Sequence, residues 1–207
     1  MSGKISLLLR VFGASVILML GTAAPAVAND NMYKTSNAGW NCWDGTMSDG
    51  LFCQTDNRTL TAFFQDSAIG NGVRGTVQGR LALLNDNSVL SVSYPSTAEY
   101  SGGSETDIIY QVSSSGFSGT TIGQTWCNDA SSSTQCDQEY IRFRAAGYVD
   151  DELACHETGH AVGLTHGADA GPSESNTATE LGCMETPDYG NRPTFGSHNI
   201  DEINNTY

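Results

Sequence analysis

His156-Glu157-Thr158-Gly159-His160-Ala161-Val162-Gly163-Leu164-Thr165-His166-Gly167 is the most informative stretch of this 207-residue chain, and it reads HExxHxxGxxHG. On a helix turning about 100° per residue, His156 and His160 lie about 40° apart and one turn along the axis, so both imidazoles reach a single ion. Glu157 stands one residue past the first His. In this pattern its carboxylate leans toward a water on the metal rather than toward the metal, which is where a general base is needed. His166 cannot join on a continuing helix, because six residues rotate it by about 240° and carry it about 9 Å further on. The chain must turn back. Gly163 suits that turn, since glycine takes the left-handed conformation that ends a helix at little cost. Three imidazole nitrogens around Zn²⁺ leave the fourth position open, the geometry of a catalytic rather than a structural site.

HExxH alone arises by chance, but the added Gly thins random matches about fourteen-fold at its ~7% usage, and the rarer third His thins them further. Ordinary helix and loop histidines would not place three of the chain's four His within eleven residues at ligand spacing.

The zinc motif with a Met downstream resembles the metzincin zinc endopeptidases. Its flanks, Cys155 before the first His and Cys183-Met184 after the third, look like the small secreted bacterial matrixin-like branch. The resemblance covers residues 58–207, strict at the motif and looser elsewhere. It implies an α+β catalytic domain with a twisted, mostly parallel sheet, a zinc-binding active-site helix, a C-terminal helix and a substrate cleft above the zinc helix. It further implies that Met184, 18 residues beyond His166, forms a Met-turn beneath the three imidazoles. Without the motif, a lone Met would read as core packing. The implied activity is hydrolysis of peptide bonds in a polypeptide substrate. Zinc would activate a water and polarise the carbonyl, with Glu157 moving the proton. The substrate would lie extended along an edge strand before the zinc helix, at 120–126. The alternative function is a secreted zinc-containing protein that binds without cutting; intact Glu157 argues against it.

Residues 1–28 read as a secretory signal: Lys4 and Arg10, then an apolar run from Val11 to Leu20, then Ala26-Val27-Ala28 as the small-residue cleavage pattern. The apolar run is short of the ~20 residues a membrane span needs, so an exported protein with no membrane partner is expected. Removing the signal leaves 7 basic against 23 acidic residues, a formal charge of −16 over 179 residues. Such a surface opposes nucleic acid and favours solubility outside the cell. The length suits one domain and a monomer.

All six Cys lie beyond the signal, an even count in an oxidising destination, which argues for three disulfides among fifteen pairings. Spacing suggests Cys42 with Cys53 and Cys127 with Cys136, each closing a short polar loop. Cys155 would then meet Cys183, tying the zinc helix to the Met-turn. A competing assignment makes Cys155 a zinc ligand, but His156 is about 100° around the helix from it.

Residues 29–57 read as a mostly irregular arm pinned by a disulfide and carrying Trp40 and Trp43, followed by the zinc metalloprotease catalytic domain at 58–207. The arm has no CGxPD-like inhibitory switch. Strand signals fall at 59–65, 88–94, 107–112, 120–126 and 140–144. Val73, Val77, Leu81 and Leu84 recur at helical spacing across 71–85. Asp150 or Asp151 caps the zinc helix, with Glu152 in its first turn. Residues 167–180 are a loop by composition, and 197–205 a closing helix with Ser197 as cap and Ile200 and Ile203 inward. His198 reads as a helix-end or surface residue. Tyr189, five residues after Met184, is a weaker site candidate. Acidic and Ser-Gly loops could hold Ca²⁺, but no ligand set at EF-hand spacing assigns it.

Overall fold

The computed structural model describes residues 30–65, 69–187 and 191–207. The expected signal at 1–28 and Tyr189 lie outside the described residues. The protein is a mixed α/β structure with a mostly parallel sheet. In chain order it runs β1 (Gln54–Thr55), β2 (Thr59–Phe64), α1 (Asn71–Asn87), β3 (Ser91–Ser93), β4 (Ile108–Val112), β5 (Gly123–Asp129), β6 (Gln135–Cys136), β7 (Gln138–Phe143), α2 (Asp151–Ala161) and α3 (Gly196–Thr206), with short 3-10 turns at 146–148, 167–169 and 179–184.

Five strands form one sheet in the order β3-β2-β4-β7-β5, in which only β5, at one edge, runs antiparallel to its neighbour. Alternation along each strand sends Leu60, Ala62, Phe64, Ile108, Tyr110, Ile141 and Phe143 to the face that α1 and α2 cover. The apolar stripe Val73, Val77, Leu81 and Leu84 of α1 is buried in the same cluster as Leu153 and Ala154 of α2. That common core holds the second helix against the sheet. β1 and β6 pair separately as a short parallel ladder, Gln54 beside Gln135 and Thr55 beside Cys136. At two residues each, they are too short to carry a periodic signal in sequence.

The strand expected at 88–94 shrinks to Ser91–Ser93, because Ser88 ends α1 by donating from its amide and hydroxyl to the Leu84 carbonyl, at 3.0 and 2.7 Å. The strand expected at 120–126 shifts to Gly123–Asp129, with an irregularity between Cys127 and Asp129. Ser197 does not cap α3: the helix begins at Gly196 with Phe195 at the cap position and no side-chain cap bond. Phe195 is instead 3% exposed and packs in the core, so burial sets where that helix starts.

Residues 30–57 are mostly irregular and pack firmly on the rest. Tyr33 N–H donates to Gly163 O (2.7 Å) and Thr165 N–H to Asn31 O (2.7 Å), so residues 31–33 run antiparallel beside 163–165. Disulfides join Cys42 to Cys53, Cys127 to Cys136 and Cys155 to Cys183.

Glu139, in β7 beside these bridges, is fully buried and accepts the Cys53 N–H at 3.1 Å. Burial raises its carboxyl well above the ordinary carboxylate value. A group whose folded pKa exceeds its unfolded value contributes stability below the unfolded pKa of about 4.5 and loses it as pH rises through the folded value. Glu139→Gln keeps a carbonyl acceptor for Cys53 and removes the ionisation. The variant should unfold with a flatter pH dependence above pH 5, so that its stability relative to the parent rises from pH 5 to pH 8. Parallel denaturation curves for the two proteins from pH 5 to 8 would refute this.

Candidate metal centre

The helix that carries the motif begins at Asp150, whose Oδ1 accepts the Leu153 N–H at 2.9 Å, with Asp151 and Glu152 in the electropositive first turn. It ends at Gly163, φ +93°. Leu164 N–H reaches back to Gly159 O (2.9 Å) and Gly163 N–H to His160 O (2.9 Å), the paired bonds of a Schellman ending. A side chain at 163 would also press on the Gln54 backbone. The chain therefore reverses here, the arm at Asn31–Tyr33 holds the returning strand, and His166 comes back over the helix.

His156, His160 and His166 converge. Their Nε2 atoms lie 3.1 Å apart in all three pairs. His156 Nδ1 lies 2.8 Å from Cys183 O, and His160 Nδ1 lies 2.8 Å from Leu164 O. Because carbonyls only accept, those contacts place the protons on Nδ1 and leave the Nε2 lone pairs facing inward. Burial holds His156 below the ordinary imidazole value. It holds His160 well below, with His156 and His166 adding to the effect; burial and then His156 bring His166 down to about 3. Neutral imidazoles with converging lone pairs repel one another, and a cation at their centre relieves that. Two nitrogens each ~2.05 Å from a tetrahedral zinc would stand about 3.3 Å apart, close to the spacing observed. The donor set fits the ion.

Among the described residues, two other groups of side chains within metal-binding reach, Cys42-Cys53-Cys127 and Cys127-Cys136-Glu139, consist mainly of cysteines committed to disulfides. Such sulfurs are not thiolates and make poor ligands. Cys155 likewise is disulfide-bonded. His198 sits half-buried on α3, outside the His cluster.

Glu157 lines the same cleft and is 5% exposed. The Thr125 hydroxyl donates to its Oε2 at 2.6 Å. Its other oxygen lies against Gly123, where any side chain would collide with the carboxylate. Strand β5 thus orients this carboxylate from above. From below, Met184 is fully buried with its sulfur against Gly159, where a Cβ would overlap it. Gly182, φ +54°, forms the tight turn that brings Cys183 and Met184 under the helix, and Cys183 N–H donates to Thr194 O at 2.8 Å.

Thr125, Gly123 and the ring of Phe52, 4.3 Å from the His160 ring, were not among the residues singled out by motif. Only Gly159 left a sequence signal, since a helix-interior glycine costs about 1 kcal/mol and asks for a packing reason. The cleft in front of the histidines encloses about 840 Å³ between the arm at 40–52, residues 120–124 and the turn at 186–187.

No family model matches the chain, and no curated protein matches it. Among solved structures it is similar to a crystal structure of myroilysin, at 16% identity and a TM-score of 0.36, over 66% of this chain and 56% of that one. A second myroilysin structure gives 12% identity and a TM-score of 0.35, over 66% and 57%. The chain thus spans just over half the length of the myroilysin chains it matches.

Proposed function

We propose that the protein is a secreted zinc-dependent endopeptidase of the metzincin type, in which His156, His160 and His166 hold one Zn²⁺, Glu157 is the catalytic base and Met184 forms the Met-turn. The observation that carries this is the triangle of three inward-facing Nε2 atoms with one oriented carboxylate beside it, open to a cleft beside the edge strand β5. A bound zinc supplies Lewis acidity, lowering the pKa of a water and polarising a carbonyl. The chain's own groups do the rest. The edge of β5 aligns an extended peptide by main-chain hydrogen bonds. Glu157 takes the proton from the attacking water and passes it to the leaving amine nitrogen, so no covalent intermediate forms. Thr125 keeps that carboxylate aimed into the cleft. Three disulfides fit an oxidising destination, and among the described residues no helix is long and apolar enough to cross a membrane.

Elemental analysis of the purified protein should find about one zinc per chain. Casein digestion should stop on chelation and return when zinc is restored. A metal-free protein that digests casein at full rate would end this proposal.

A further inference from the structure

The edge strand that faces the cleft is partly covered by the chain itself. Arg144 N–H bonds to Ile122 O across the antiparallel β5–β7 pair, so residues 122, 124 and 126 direct their main-chain groups inward to β7. Gly123, Thr125 and Cys127 direct theirs outward. At Cys127 both outward groups are already used: its N–H donates to Leu51 O at 2.6 Å, and its C=O accepts from Gly45 N–H at 2.8 Å. The arm segment 45–51 therefore occupies the third outward rung. The Gln124 side chain leans over Thr125 O (3.4 Å) and lies against Gly50, closing the edge further at that end.

The segment is held in place. Cys42–Cys53 spans its base, Phe52 stacks on His160, and the Trp40 indole N–H donates to Phe52 O. Its turn is fixed by Asp49, which accepts from the Thr46 N–H and hydroxyl, both at 2.8 Å; those bonds hold the Asp49 carboxyl below the ordinary value. Asp49 and the half-exposed Trp43 face the cleft from this wall. Apart from the neutral histidines, the ionisable cleft-lining residues among those described are Asp49, Glu157 and Asp169, with no Lys or Arg. Of these only Asp49 lies on the arm, and its carboxylate at that end of the cleft attracts an α-ammonium and repels an α-carboxylate.

Building on the peptidase reading above, we propose that the arm is a stop at one end of the substrate cleft, limiting the amino-terminal side of a bound peptide to about three residues in extended register. A scissile bond beside Glu157 lies opposite Gly123, and at ~3.3 Å per residue a peptide reaches Cys127 about four residues on. A longer chain leaves the edge at the wall and gains no further ladder bond. Residues beyond the third on the amino side therefore add little to binding, and further binding comes from the carboxyl-terminal side.

The test uses the zinc-loaded protein and a peptide it cuts, found by mass spectrometry in a mixed peptide library. That peptide is rebuilt with one to six residues on each side of the cut. Specificity kcat/KM should climb on the amino side up to about the third residue and then change less than twofold, while a rung that could form would add about fivefold. The Kd of the same peptides for Glu157→Gln protein, by calorimetry, should level off at the same length. Continued several-fold gains through the fifth residue on the amino side overturn the proposal, as does levelling on the carboxyl side alone. If no peptide is cut and none binds, the peptidase reading falls and takes this inference with it; zinc-dependent cutting with unlimited amino-side gain removes the stop alone.

Discussion

Glu157→Gln protein should bind zinc, fold and lose turnover by about 10²–10⁴-fold. The substitution keeps size and shape, and the amide oxygen still accepts from the Thr125 hydroxyl now 2.6 Å from Oε2. An amide cannot take a proton from water at neutral pH, so the proposed base is removed while its surroundings stay in place. The three histidines are untouched, and the carbonyls of Cys183 and Leu164 continue to orient two of them. Zinc content near one per chain and a Tm within a few degrees of the parent, together with a large fall in kcat, is the expected set. Casein or peptide cleavage within about threefold of the parent would remove Glu157 from the mechanism.

Removing the Cys155–Cys183 bridge by the paired change to Ser should destabilise the protein by about 3 to 4 kcal/mol on the loop-entropy estimate, the loop being one of sequence separation 28. On the proposed function the bridge also supports the metal centre. Cys155 directly precedes His156 in α2, and the carbonyl of Cys183 receives the His156 Nδ1–H at 2.8 Å. Freed from the helix, residues 182–184 can draw that carbonyl away, and loss of such an orienting partner costs about 10–100-fold in metal affinity. The double variant should therefore release zinc to a chelator well before it unfolds. Opening Cys42–Cys53 instead should leave zinc affinity within a few-fold, because that bridge lies in the arm. Equal zinc affinity in the Cys155/Cys183 variant and the parent would show that the bridge does not support the site.

Local chemistry made several elements legible before any tertiary contact was known. The four apolar residues of α1 recur at helical spacing because that helix buries one face, and they are the four that the structure buries. Gly163 ends α2 because its φ of +93° is costly for any other residue, and Asp150 begins it because a carboxylate there satisfies a free N–H. The i, i+4 histidines follow from the pitch of one helix. The two short disulfides join cysteines at sequence separations of 11 and 9, within reach of spacing alone, and the third pairing was what remained.

Other features depend on partners distant along the chain. Thr125 and Gly123 meet Glu157 across 32 and 34 positions, Phe52 meets His160 across more than a hundred, and Asn31 lies 134 from Thr165. No periodicity or spacing records such pairs, since each residue is compatible with many other neighbours. The arm's cover over Cys127 is the extreme case: it consists of backbone N–H and C=O groups, which are the same at nearly every residue. Side chains that hold an ion must be of particular types at particular spacings, so the sequence carries them openly. Which rungs of an edge strand stay open is written in no side chain, and it is decided only when the sheet, the arm and the helix have packed together.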